Sequence, residues 1–353
     1  MKSTVSVIIP TYNRSSLVAK AIKSVLAAIS PGDEILVIDD GSTDDTTAVV
    51  GAFGDAVRYI RIANSGSSVA RNLGIRSAKC PLVAMLDDDD QWLPDKLELQ
   101  RTVMDRFPEV VFSFCDLLAK YPDGHVTRNL LSHWRNSRRI GSDDAPKNLG
   151  ETLGPGAAFS SIADLPKARS DFKVHVGDMY PVLMEVFYAN NSAVMVRKEL
   201  AKASYRYDEN LRNMDDTECF ARLSKLGPVA YLDCELVEYL EHSGPRLTNA
   251  SEVFHMTTRI DLLRRIWGAD EEFLKAHSAR YQSLLKAKCL IRARLLLADG
   301  QTKEAMEDLK VAGAPLSYRL VATLPPGLVK NALAVQRKVR QLLQRKGFGA
   351  EQN

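Results

Sequence analysis

The 353-residue sequence lacks the features that would place it in several common classes. It has only five cysteines, Cys80, Cys115, Cys219, Cys234 and Cys289, and no two stand in C-x-x-C spacing. The absence of that spacing argues against a zinc site or a disulfide framework, so reduced, mostly buried thiols in a cytosolic protein are expected. No stretch approaches eighteen consecutive apolar residues, so no membrane-spanning helix is expected. Residues 1–5 enter a strand-like run directly, without the apolar region of a secretory signal. Five of the six histidines show no spacing that suggests a site, and there is no internal repeat. The balance of 45% hydrophobic and 26% charged residues is ordinary for a soluble globular protein with a large core and an appendage.

What is present begins with charge. The net charge of +3 hides an asymmetry: residues 251–353 hold 18 Lys/Arg against 10 Asp/Glu, which leaves residues 1–250 at −5. Within the acidic portion, the apolar run Leu82-Val83-Ala84-Met85-Leu86 ends in Asp87-Asp88-Asp89-Asp90. Four adjacent carboxylates repel one another unless something cationic neutralises them. Oxygen ligands at a strand end suit Mg²⁺ or Mn²⁺, which in turn hold phosphates. A solvated acidic turn is the plainer alternative.

The first third of the chain alternates strand and helix patterns. Strands are expected over residues 5–9 (ended by Pro10), 35–38, 57–62 and 82–86, and helices over 15–29 and 67–78. Ser42-Thr43-Asp44-Asp45 reads as a capping box opening a further helix. Such alternation predicts a mostly parallel twisted sheet flanked by helices, with ligands outside the carboxyl ends of the strands. Asp39-Asp40 and the aspartate run both fall there. Beyond residue 110, Tyr121-Pro122-Asp123-Gly124 reads as a hairpin turn, and residues 127–180 as irregular loops. Strands follow over 191–196 and 229–232, and a helix over 215–226. From about residue 250 the chain reads as all helix, with a helical hairpin about Asp299-Gly300.

Four motifs in order carry a family resemblance. They are Val5-Ser6-Val7-Ile8-Ile9-Pro10-Thr11-Tyr12-Asn13-Arg14, then Ile38-Asp39-Asp40-Gly41-Ser42-Thr43-Asp44, then Asn64-x-Gly66-x-x-x-Ala70-Arg71-Asn72-x-Gly74, then Leu86-Asp87-Asp88-Asp89-Asp90-x-Trp92-x-Pro94-x-Lys96-Leu97. Over residues 4–245 the chain resembles glycosyltransferase family 2, inverting enzymes of the GT-A fold that use nucleotide-activated sugars. The resemblance implies a Rossmann-like nucleotide-binding half at about 1–115 and an acceptor-side half at 116–248. Residues 249–353 are expected to form an α-helical C-terminal extension.

The same resemblance implies roles. Pro10, Thr11 and Tyr12 line the base and ribose pocket, and Asp40 accepts from the base or ribose. Arg71 reaches the base or diphosphate, where its fork suits phosphate oxygens; a salt bridge to the aspartate cluster is the alternative. Asp89 is the direct metal ligand, Asp88 lies near the donor ribose or sugar, and Asp87 and Asp90 support the ion. Arg14 reads as a surface residue. In Asn213-Met214-Asp215-Asp216-Thr217-Glu218-Cys219-Phe220-Ala221-Arg222, the family's spacing selects Asp216 as catalytic base, with Asp215 before it. The plain alternative is an acidic helix start favoured by the macrodipole. His242, in Tyr239-Leu240-Glu241-His242, resembles a position that helps hold metal or phosphate; a surface histidine is the plain alternative.

Departures narrow this reading. The chain lacks the Gln-x-x-Arg-Trp signature and the membrane helices of processive polysaccharide synthases, so transfer of one or a few sugars is expected. Trp134, Arg135, Arg138 and Arg139 could meet an acceptor phosphate or form a solvated loop. Leu328, Ala332, Val335, Val339 and Leu342 share one helix face opposite Lys330, Arg337, Lys338 and Arg340. That face could rest on an anionic membrane surface or pack on the catalytic domain or a second subunit. The expectation is a cytoplasmic transferase, peripheral on the inner face of the membrane if that helix docks there. It would use Mn²⁺ or Mg²⁺ and a UDP-sugar donor, with a glycan or lipid-linked glycan acceptor and no nucleic-acid partner. A sugar-nucleotide-forming nucleotidyltransferase and a non-catalytic nucleotide-sugar-binding protein are the rivals. The first would want a Gly-rich triphosphate loop, which Pro10-Thr11-Tyr12-Asn13 does not offer.

Overall fold

The structure is a computed structural model that describes residues 2–131, 158–159, 172, 174–186, 189–240, 251–324 and 328. It divides into two compact units, Met1–Pro245 and Arg246–Asn353. The first unit opens with β1 (Val5–Thr11), α1 (Ser15–Leu26), β2 (Glu34–Asp39), α2 (Thr46–Gly51), β3 (Arg58–Arg61), α3 (Ser67–Ser77) and β4 (Leu82–Met85). It continues through β5 (Asp90–Trp92), α4 (Lys96–Arg106), β6 (Phe112–Lys120), β7 (Val126–Thr127), β8 (Ala158–Phe159), β9 (Val174–Gly177) and α5 (Tyr180–Glu185). The unit closes with β10 (Val194–Arg197), α6 (Lys198–Ala201), α7 (Asp215–Ser224) and β11 (Val229–Leu240).

Among the described residues these strands form one sheet in the order β3-β2-β1-β4-β10-β6-β11-β9-β8, with β5 beside β11 and β7 beside β6. The pairs β3–β2, β2–β1 and β1–β4 are parallel. Beyond β4 the sheet becomes mixed, because β10 runs antiparallel to both β4 and β6 while β6 and β11 are parallel. The expected parallel α/β half therefore occupies the first four strands. Strands β1 and β4 are buried at every position, as central strands covered on both faces must be. At the edge, β3 exposes Arg58 and Arg61, which blunts it against further pairing.

Helix α1 buries Val18, Ala21, Ile22 and Val25, the expected i, i+3, i+4, i+7 stripe. Each large apolar side chain buried in this way contributes about 1.5–3 kcal/mol. Helix α3 comes close to β1 because residue 74 is glycine: a Cβ there would lie 2.4 Å from Ile8 Cγ2.

Several boundaries differ from the sequence expectation for physical reasons. Strand β1 continues through Pro10. Alternate residues of a parallel strand face opposite neighbours: the Ile8 carbonyl accepts from Leu86 N on the β4 side, and the Thr11 carbonyl accepts from Asp40 N on the β2 side. Pro10 therefore faces β4 beyond the last pair, Ile8 with Met85, where its missing N–H costs no ladder bond. The capping role expected of Ser42 falls to Asp44, whose Oδ1 accepts from Thr46 N at 3.0 Å and whose Oδ2 accepts from Ser15 N at 3.0 Å. Residues Asn191–Ala193, expected as strand, form a 3₁₀ turn. The Asn190 side chain caps it by accepting from Ser192 N, and β10 starts only at Val194.

The second unit comprises α8 (Glu252–Leu262), a π-helical turn (Leu263–Trp267), α9 (Glu271–Ala298), α10 (Thr302–Val311) and α11 (Leu316–Ala322). The expected hairpin about Asp299-Gly300 joins α9 to α10, which pack through Ala293, Leu297, Ala305 and Leu309. A two-bond ion pair, Arg292 to Asp308 at 2.7 Å each, ties them further. No helix among the described residues is long and apolar enough to cross a membrane. Of the predicted basic amphipathic helix, only Leu328 lies within them.

Candidate active site

The carboxyl ends of β1, β2 and β4 converge where β1 separates strands that wind in opposite directions, the crevice at which open α/β sheets bind ligands. The sequence after each strand supplies the site. At β1, Thr11 Oγ1 donates to Asp88 Oδ2 at 2.7 Å. Asn13 follows with φ of 52°, a left-handed conformation that costs a non-glycine residue of order 1 kcal/mol or more. Its amide donates to Ser42 Oγ and its side-chain oxygen accepts from Thr43 N at 2.7 Å, so it pins the β2–α2 loop. That turn throws Arg14 across the aspartate run: its Nη1 lies 2.8 Å from Asp88 Oδ1 and 2.9 Å from Asp89 Oδ2. The reading of Arg14 as a plain surface residue is corrected by this pairing. Tyr12 remains 46% exposed at the mouth, whereas Pro10 and Thr11 are buried.

At β2, Asp39 is fully buried and accepts from Ser42 N at 2.8 Å and from the Tyr59 hydroxyl. Asp40 uses both carboxylate oxygens on the loop before α3, accepting from Ser65 N at 2.7 Å and Gly66 N at 2.8 Å. Gly66 has φ of 100°, which a side chain would resist, and this bend aims the two amides at Asp40.

Arg71, on α3, is buried and forks between two carboxylates: Nη2 reaches Asp87 Oδ1 at 2.9 Å and Nη1 reaches Asp215 Oδ2 at 3.0 Å. Ser68 Oγ donates to the same Asp215 oxygen at 2.8 Å. The guanidinium also lies over the Tyr207 ring, 5.4 Å from its centre. Of the two sequence alternatives for Arg71, the ion pair with the aspartate cluster is the one the structure displays. Asn72 holds the lead-in to the second acidic motif, donating to Tyr207 O and Glu209 Oε1 and accepting from Tyr207 N.

The second motif opens α7. Met214 is left-handed, with φ of 57°, and Asp215, Asp216 and Glu218 fill the first turn, where the helix dipole favours anions. Asp216 accepts from Thr217 N at 2.6 Å. Burial, then the neighbouring Asp215 charge, push its carboxyl up to about 7. Burial likewise raises Asp88, to about 6, against the pull of Arg14 and Thr11. Arg222 faces away from this chemistry: it pairs with Glu218 and donates to the Ser204 and Arg206 carbonyls, which anchors the helix.

Sequence reasoning did not single out Ser192. This fully buried residue comes from the 3₁₀ turn before β10, yet it organises the aspartate run. Its hydroxyl accepts from Asp87 N at 3.1 Å and donates to Asp90 Oδ2, while its carbonyl accepts from Trp92 Nε1 at 2.8 Å. A lone serine about a hundred residues away carries no local signal of that role. His242, Trp134, Arg135, Arg138 and Arg139 lie outside the described residues.

The donor set fits a divalent ion. Among the described residues, no three His, Cys, Asp or Glu side chains form a ready-made cage. A phosphate-bound Mg²⁺ or Mn²⁺ needs only one or two carboxylates, because phosphate and water oxygens complete its shell. Four carboxylates, Asp87, Asp88, Asp89 and Asp215, share two guanidiniums, which leaves an excess of two negative charges. The Asp87 and Asp89 side chains keep 25% and 17% of their surface, against 6% for Asp88, so those two offer the accessible oxygens.

Comparisons with known proteins identify the family. Residues 6–160 match the family model for glycosyl transferase family 2. An uncharacterised glycosyltransferase of Rickettsia felis is 45% identical over 103 residues, 29% of this chain and only 17% of that protein. The chain thus spans about a sixth of the length of that relative. TuaG of Bacillus subtilis, a putative teichuronic acid biosynthesis glycosyltransferase, is 31% identical over 246 residues, 64% of this chain and 96% of that protein. Among solved structures, S. aureus TarS 1–349 in complex with UDP-GlcNAc has a TM-score of 0.57 at 14% identity, covering 99% of this chain and 93% of that one. The mannosyltransferase PcManGT of Pyrobaculum calidifontis, in complex with GDP-Man and Mn²⁺, has a TM-score of 0.50 at 16% identity, covering 99% and 85%. With its motifs placed at the strand ends and a relative matched over nearly its whole length, the chain belongs to glycosyl transferase family 2.

Proposed function

We propose that this protein is a metal-dependent, inverting glycosyltransferase that moves a sugar from a nucleotide-sugar donor to a hydroxyl of a glycan or lipid-linked glycan. The observation that carries the reading is the fork of Arg71 between Asp87 and Asp215, which joins a phosphate-type site at the strand ends to a carboxyl pair suited to proton transfer. Asp89 and Asp87 would hold Mn²⁺ or Mg²⁺. When bound, the ion would supply charge neutralisation to the departing diphosphate. Pro10, Thr11 and Tyr12 border the base and ribose, and Asp40 shapes that side through the amides of Ser65 and Gly66.

Asp216 takes the proton of the acceptor hydroxyl. A carboxyl held near 7 combines adequate basicity with a useful fraction in the ionised form at neutral pH. The acceptor oxygen forms its bond to the anomeric carbon as the bond from that carbon to the diphosphate breaks, so one in-line displacement inverts the centre. A non-catalytic binding protein would have no need for a partly buried carboxyl held in this state.

TarS with UDP-GlcNAc and PcManGT with GDP-Man support a nucleotide-sugar donor, and the second supports the metal. They differ in base; UDP is our choice. The likeness to TuaG, a putative teichuronic acid biosynthesis glycosyltransferase, supports a role in bacterial polysaccharide biosynthesis. The reading is tested by incubating the protein with UDP-glucose, UDP-GlcNAc and GDP-mannose, with and without MnCl₂, and following release of free nucleoside diphosphate by slow hydrolysis. Metal-dependent release from one donor, lost in Asp216→Asn, is expected. Release from none would defeat the reading.

A further inference from the structure

Arg14 sits where a cation is required. A single nitrogen of its guanidinium lies within 2.9 Å of carboxylate oxygens from two consecutive aspartates. Its side chain is 27% exposed, whereas Arg71, the other arginine of the cluster, is 8% exposed and committed to Asp87 and Asp215. Arg14 is therefore the more accessible positive charge of the cluster and Arg71 the buried one. The left-handed Asn13 turn, tied to Ser42 and Thr43, sets the Arg14 backbone between β1 and α1 beside the aspartate run.

On the basis of the function proposed above, we infer that Arg14 is a donor-site residue that stands in for the metal on Asp89, with Asp88 as its second partner, and is released to the donor diphosphate when the ion arrives. A divalent cation and a guanidinium cannot share those oxygens without repulsion, so metal alone must displace Arg14 into solvent. When a diphosphate is also present, the displaced fork finds acceptors of matching geometry. Metal and nucleotide then bind with positive coupling, and linkage makes that coupling equal in both directions. The device would keep the aspartates neutralised between turnovers and favour the loaded state only when both ligands are present.

The test is Mn²⁺ binding followed by electron paramagnetic resonance, with and without UDP, in the wild type, Arg14→Gln and Arg14→Lys. Circular dichroism would confirm that each variant is folded. For the wild type, UDP should tighten Mn²⁺ binding by about 5- to 150-fold, the ordinary range of coupling between sites. Arg14→Gln should bind Mn²⁺ alone more tightly than the wild type and lose most of the UDP effect. Arg14→Lys, which keeps the charge without the fork, should fall between. If Arg14→Gln binds Mn²⁺ no better than the wild type while the wild type still shows the UDP effect, the inference fails and the proposed function stands. If the wild type shows no Mn²⁺ binding even with UDP, both fail.

Discussion

The two carboxylate groups of the site are built on the same chemistry and held in different ways. At the end of β4, Asp87, Asp88 and Asp89 are each paired to a guanidinium, and Ser192 fixes the turn that carries them. At the start of α7, Asp215 takes the second arm of Arg71, while Asp216 has the Thr217 amide, partial burial and a charged neighbour. Under the proposed function the first arrangement keeps anions ready for a cation and phosphates. The second leaves one carboxyl that binds a proton near neutrality. Under the proposed function the two groups divide holding from proton transfer, although burial raises Asp88 as well, to about 6, against about 7 for Asp216. Strain marks both groups, since left-handed Asn13 and Met214 immediately precede Arg14 and Asp215.

The largest effect expected from breaking this contrast is Asp216→Asn. Loss of the base should lower kcat by about 10²- to 10⁴-fold while leaving UDP affinity in place. In the wild type, kcat should rise with pH through about 7, the point at which Asp216 ionises. Next is Arg71→Met, which leaves Asp87 and Asp215 without their shared cation. Breaking a buried pair from one side costs about 3–5 kcal/mol, measurable by urea denaturation.

A smaller effect sharpens the comparison through pH. The folded state holds a proton on Asp216 between about pH 4 and 7 that the unfolded chain has already released, so wild-type stability falls as pH rises across that window. Asparagine cannot ionise. Asp216→Asn should therefore match the wild type below pH 4 and exceed it by about 1–3 kcal/mol above pH 7, seen as an inactive variant with a higher Tm at pH 8. Smallest is Ser192→Ala, which removes the hydroxyl between Asp87 and Asp90. A cost of about 1–2 kcal/mol and a roughly tenfold loss of Mn²⁺ affinity are expected, with threonine restoring part of both.

The contrast also shows how far the sequence could be read. Strand and helix patterns of the parallel half were legible because each is a local period: four buried runs, each turning into charged or polar residues at its carboxyl end. The aspartate run and the acidic start of α7 were legible as motifs. Apart from the ion pair of Arg71 with the aspartate run, their partners were not. Arg14 meets Asp88 across 74 positions, Arg71 meets Asp215 across 144, and Ser192 meets Asp87 across 105. No periodicity specifies such pairs, and a single arginine or serine looks the same whether or not it has a distant partner. The 3₁₀ turn at Asn191–Ala193 was hidden for a related reason. Its apolar continuation into β10 reads as one strand, and only the Asn190 cap separates the two. Pro10 misled in the opposite sense, because its tolerance inside β1 depends on where β4 stops pairing.

The claim on which the rest depends is that the strand-end crevice is a metal-assisted nucleoside diphosphate site, and calorimetric titration of UDP into wild type and Asp89→Ala, each with and without Mn²⁺, tests it most directly. The account predicts tight binding only in the wild type with metal, and a drop of at least about tenfold when either Mn²⁺ or the Asp89 carboxylate is removed. UDP binding that is indifferent to both, or absent with metal for UDP and GDP alike, would contradict it.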